Sequence, residues 1–112
     1  MKRLALLVFT IICIPIAAYG AQVYGNLRWN NASVGVNVPV RIQCDDGAAY
    51  EARTDGYGSY SVPMRASKKC TLTVYFNDKW SRGFDVYPYE DPVRYDFDLV
   101  GMGDGTIGLR RR

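Results

Sequence analysis

The sequence predicts an all-β protein, a seven-stranded Greek-key sandwich preceded by a cleavable leader, and three observations predict it. Short runs of alternating apolar and polar residues recur about every ten residues, divided by Gly, Asn and Asp clusters, while helical periodicity is absent after residue 20. Two cysteines, Cys44 and Cys70, fall at core-facing positions of two such runs. The 112-residue length leaves room for one small domain, at the lower end of what buries a sufficient core unaided.

The first 20 residues are of a different kind. Lys2 and Arg3 precede an apolar run from Leu4 to Ala18, and the small residues Ala18 and Gly20 close it. Basic, apolar and small residues in that order make a secretory signal peptide over 1–20, with cleavage after Gly20. A retained membrane anchor is the alternative, and it needs about 20 apolar residues, more than the run supplies. Cys13 lies in mid-run and does not end it, which argues against a lipid-modified cysteine. The domain follows over 21–100, and the mature chain is expected to carry no transmembrane segment.

Gln22–Trp29 opens the domain as the first strand, and Val38, Val40, Ile42 and Cys44 form an inward set on the second, against outward Arg41 and Gln43. Ala49–Thr54 and Ser59–Val62 are the third and fourth, with Asp55, Gly56, Tyr57 and Gly58 a tight turn between them. Cys70, Leu72, Val74 and Phe76 line one face of the fifth. A short sixth strand around Trp80 to Val86 follows a turn at Asn77 and Asp78, and Pro88 and Pro92 bracket a loop in which ladder bonding stops. The seventh is the clearest, with Val93, Tyr95, Phe97 and Leu99 facing in and Arg94, Asp96 and Asp98 facing out. Beyond it, 101–112 holds four glycines and ends in Arg110, Arg111 and Arg112, the composition of a flexible tail.

In an oxidising compartment Cys44 and Cys70 are expected to form a disulfide, and their parity fits a bridge between the two sheets. A zinc site is the rival, but two thiolates are half a ligand set and the chain contains no histidine.

Taken together, Thr54, Asp55, Gly58, Tyr60 and Val62 make a Thr-Asp-x-x-Gly-x-aromatic-x-aliphatic pattern. With Val23 to Gly25 on the first strand, Pro39 to Ile42 on the second, and Leu72, Thr73 and Val74 further on, the chain from about Gln22 to Leu99 resembles the carboxypeptidase regulatory-like domains, transthyretin-like sandwich modules of exported proteins. The resemblance implies an accessory, structural or ligand-contacting role. The related transthyretin-like hydrolases of the purine pathway use histidines and a terminal Tyr-Arg-Gly-Ser, where this chain has Leu109, Arg110, Arg111 and Arg112.

Catalysis is not expected. The missing histidine removes the commonest general base and metal ligand. Asp45, Asp46 and Asp55 read as turn residues, in no calcium-loop spacing, so neither catalytic, cofactor nor metal residues are assigned. Asn31, Ala32 and Ser33 match a glycosylation triplet too short to weigh. Removing Lys2 and Arg3 takes the basic count from 14 to 12 against 11 acids, too even a balance for general nucleic-acid binding.

The candidate contacts are aromatic and basic. Trp80, Tyr87 and Tyr89 flank the proline-marked loop, and Arg110, Arg111 and Arg112 offer attachment to anionic material. The expectation is a bacterial, secreted or periplasmic, non-enzymatic module that binds a protein partner in the cell envelope or extracellular space. The alternatives are a carbohydrate-binding module using exposed Trp80, Tyr87 and Tyr89, which a planar row of rings would favour and rings buried in the core would sink, and, third, a hydrolase, which would need convergent acids in a cleft.

Overall fold

A computed structural model describes residues 20–112; the leader assigned to 1–20 lies, apart from Gly20, outside the described residues. The described chain contains no helix, and therefore none long and apolar enough to cross a membrane.

Eleven strand segments follow in order: β1 (Ala21–Trp29), β2 (Ala32–Ser33), β3 (Pro39–Cys44), β4 (Ala49–Arg53), β5 (Ser59–Met64), β6 (Cys70–Phe76), β7 (Lys79–Trp80), β8 (Phe84–Val86), β9 (Val93–Arg94), β10 (Phe97–Gly101) and β11 (Ile107–Arg111). They form two sheets packed as a sandwich-like fold. In the six-stranded sheet the order is β11-β10-β1-β2, with β5 and β9 also pairing β1; in the five-stranded sheet it is β4-β3-β6-β7, with β8 also on β6.

The expected inward sets are the core. Val23 and Leu27 from β1, Val40 and Ile42 from β3, Leu72 and Val74 from β6, and Phe97 from β10 are fully shielded. Period-two alternation along each strand puts these side chains between the sheets and leaves polar groups outside. Phe84 completes the interior edge-on against Phe97, with ring centroids 4.8 Å apart.

Seven strands were expected, and the difference has local causes. Trp80 to Val86 divides because Ser81 turns its side chain into the ladder: its Oγ accepts the Val74 N–H and donates to the Arg82 carbonyl. Val93 to Leu99 divides at Tyr95 and Asp96. There β1 keeps its parallel register, Val23 opposite Val93 and Leu27 opposite Phe97, but the Asn26 N–H donates to the Asp96 carboxylate instead of to backbone. A side chain on Gly25 would lie 1.9 Å from the Tyr95 carbonyl oxygen, so this close approach requires glycine. The added segment β2 follows a tight turn through Asn30 and Asn31, both at positive φ.

The other addition is β11, which corrects the expected flexible tail over 101–112. It pairs antiparallel with β10, Leu99 opposite Leu109 and Asp98 opposite Arg110, and Ile107 is buried. The glycines of this region serve a hairpin, and alternation from Ile107 onward supplies the apolar face that composition alone conceals.

The disulfide is present between Cys44 and Cys70, but the expected inter-sheet bridge is corrected. The two are direct register partners on β3 and β6, neighbours in one sheet, with Cα atoms 4.0 Å apart. Equal parity brings side chains onto one face of a sheet as readily as onto two facing sheets, so parity could not choose between them.

The Thr54 to Val62 pattern acts in folding. The buried Thr54 Oγ1 accepts the Val38 N–H at 2.9 Å and donates to the Gly35 carbonyl at 2.6 Å, pinning the approach to β3. The Asp55 carboxylate accepts the N–H groups of Tyr57 and Ser59. Gly58, at φ 77°, donates its N–H to Asp55 and accepts from Leu27, and a side chain there would strike the Leu27 carbonyl oxygen at 2.8 Å. This turn carries the chain from β4 in one sheet to β5 in the other.

Candidate functional site

The loop from Tyr87 to Pro92 is built around a buried proline. Pro88 is fully shielded, and Tyr89 donates its N–H to the Tyr87 carbonyl at 3.0 Å, a three-residue turn that the fixed φ of proline favours. With Pro88 turned in, Tyr87 and Tyr89 both turn out, 42% and 61% exposed, their ring centroids 6.5 Å apart and planes 32° from parallel. Two ties hold the loop. Ser67 donates its N–H to the Pro88 carbonyl at 2.9 Å, and the Tyr87 N–H donates to the Tyr95 hydroxyl at 3.1 Å.

Between this loop and the segment before β6 lies an open groove of about 700 Å³, with Tyr87 and Tyr89 on one side, Lys68 on the other, and Glu90 and Asp91 nearby. The sequence signalled the two tyrosines. Lys68 was not foreseen, because the β6–β8 pairing and the Ser67 to Pro88 bond bring it across from a separate loop.

Trp80 does not join them. It lies on β7 opposite Tyr75, ring edge against ring at 5.2 Å, whereas Val86, next to Tyr87, lies opposite Cys70 at the other end of β6. Five residues of strand separate the two positions, roughly 17 Å. The three rings thus do not form the planar row that would favour a sugar platform; Tyr87 and Tyr89 make a tilted pair apart from Trp80.

The three arginines are ordered by their place on and beside β11. Arg110 and Arg112 point to the outer face, where both reach Asp98, at 3.3 and 3.1 Å, and Arg112 also bonds the Asn26 carbonyl. Arg111 points the other way. Its guanidinium stacks 4.2 Å above the Tyr95 ring and donates to the Arg94 carbonyl at 2.8 Å. It borders a second cleft, about 480 Å³, whose other lining residues are Gly83, Phe84, Asp85, Tyr87 and Tyr95. Tyr87 thus stands between the groove and the cleft.

Electrostatics mark few groups. Burial, reinforced by the Asp96 charge, pushes the Tyr60 hydroxyl well above the ordinary phenol range, so it stays a proton donor. The Asp104 carboxyl is lowered to about 2 by hydrogen bonds from the Thr106 hydroxyl and N–H, with Arg82 adding to them. Asp46 and Asp55 accept backbone N–H groups of their own turns. Among the described residues no three His, Cys, Asp or Glu side chains gather as a metal site. Compared with known proteins, the chain matches no family model, no curated protein and no solved structure.

Proposed function

We propose that the protein is an exported, non-catalytic interaction module that engages a protein partner of the cell envelope or extracellular space through the groove beside Tyr87 and Tyr89. One observation carries this reading. Two exposed tyrosines are held outward by a buried proline beside an open groove of about 700 Å³ that also offers a lysine and two carboxylates. Rigid aromatic anchors with a polar surround are what protein interfaces favour. The disulfide supports an oxidising compartment, and the basic-apolar-small order of 1–20 supports export by a leader cleaved after Gly20. The transthyretin-like Greek-key assignment rests on the Thr54 to Val62 pattern together with Val23 to Gly25, Pro39 to Ile42 and Leu72 to Val74.

Tyrosines tilted by 32°, with Trp80 at the far end of β6, suit a shaped protein surface better than a flat sugar face. The test is affinity capture from the native envelope with the exported protein and with its Tyr89→Ala form. A single protein recovered by the parent and lost with Tyr89→Ala is the expected result. Equal recovery by both, or retention of polysaccharide and no protein, would overturn the assignment.

A further inference from the structure

The two sheets meet at one end of β11 and part at the other. Arg82 donates its N–H to the Ile107 carbonyl at 2.7 Å, and its side chain bonds Asp104 and Thr106, closing the seam between the sheets there. Further along, β8 and β11 diverge to leave the 480 Å³ cleft, with Tyr95 and Phe84 in its walls and Arg111 on one lip.

Three properties of this cleft point to one kind of occupant. First, its β11 wall is an open strand edge. The Arg112 N–H goes to the Asp96 carbonyl on the β10 side, while the Ile107 carbonyl faces the other way to Arg82. By alternation, the N–H and C=O groups of Leu109 and Arg111 point away from β10, and Arg111 lines the cleft. Second, Arg111 is the member of the terminal triplet that has no carboxylate partner among the described residues, while its stacking on Tyr95 and its bond to Arg94 hold it in place. Across the cleft, Asp85 lies 3.7 Å from Lys69, which offsets part of its charge. Third, the rings of Phe84, Tyr87 and Tyr95 supply apolar walls for side chains next to that charge.

We propose that an extended acidic segment of a protein partner adds a strand to the free edge of β11 and sets one carboxylate against the Arg111 guanidinium. The proposal rests on the reading of the chain as a protein-interaction module and names the partner's chemistry. Main-chain bonds to Leu109 and Arg111 would supply affinity, and the buried-side carboxylate would supply selection. A second copy of this chain brings a like-charged strand to the same edge, with Arg110 opposite Arg110 in the register that pairs Leu109 with Arg111. An acidic strand meets no such repulsion from Arg111.

The experiment titrates the exported protein with a capped peptide of about eight residues alternating Glu and Val, and with its Gln and Val counterpart, following affinity and amide hydrogen exchange. The acidic peptide is expected to slow exchange at Leu109 and Arg111 and to bind about tenfold more tightly than the amide peptide. That preference should vanish in Arg111→Gln, with thermal unfolding of the variant as the check on its fold. Equal affinity for the two peptides, no binding by either, protection elsewhere, or binding of an acidic polysaccharide in place of the peptide would each overturn the proposal. A native partner that Arg111→Gln still captures and Tyr89→Ala loses would leave the module reading standing while this inference fails.

Discussion

The Tyr60 hydroxyl on β5 donates to the Tyr95 carbonyl at 2.6 Å, joining two residues that are both buried and lie 35 apart in the chain. The bond falls where the parallel ladder from β1 is interrupted between β9 and β10, so a side chain does there what backbone pairing does elsewhere. Replacing Tyr60 with Phe keeps the ring and removes the donor. The Tyr95 oxygen would then be buried and unpaired, and a loss of about 1–3 kcal/mol in denaturant unfolding is expected, with no change in far-ultraviolet dichroism.

Gly25→Ala should be worse. The new methyl carbon meets the Tyr95 carbonyl at 1.9 Å, and neither backbone can yield without breaking β1 pairing on both sides. A loss exceeding about 3 kcal/mol, or failure to accumulate folded protein, is expected; a thermal midpoint equal to the parent's would refute the close approach.

Reduction of the Cys44 to Cys70 bridge, or its replacement by two alanines, releases a loop spanned by a sequence separation of 26. Chain entropy then predicts about 3–4 kcal/mol less stability. Because β3 and β6 remain neighbours through five register pairs, the strand content at low temperature is expected to persist in the reduced form, which infrared amide bands would show.

Asp104 provides a pH test. Its carboxyl falls from 3.8 to about 2 on folding, chiefly through the Thr106 hydroxyl and N–H. A depressed carboxylate adds stability that is complete above the unfolded value and fades as pH drops through the folded one. The turn that ties β11 to Arg82 should therefore hold near pH 4 and open toward pH 2, about the window between those values, as followed by the Asp104 carboxyl carbon shift. In Thr106→Val the same titration should move upward.

Much of the strand pattern was legible because it is local. The inward residues of β3, β6 and β10 announce themselves by alternation, and the turns at Asp55 to Gly58 and at Asn77 and Asp78 by residues that tolerate their conformations. The site was legible in part. Tyr87 and Tyr89 stood out beside prolines, but Lys68 reaches them only through tertiary pairing, and Trp80 sat near them in sequence while β6 holds it away in space.

By itself the sequence determined the class of fold, the pairing of Cys44 with Cys70 and which side chains turn inward, since each follows from a period of two residues or from residue type. The tertiary structure decided the rest. It placed both cysteines in one sheet, turned a glycine-rich, arginine-ended stretch into β11, and gave Arg110 and Arg112 a shared aspartate while leaving Arg111 stacked over Tyr95. Those outcomes depend on which strand lies beside which, and strand neighbours are chosen by burial summed over the whole sandwich, a quantity no local run of residues contains.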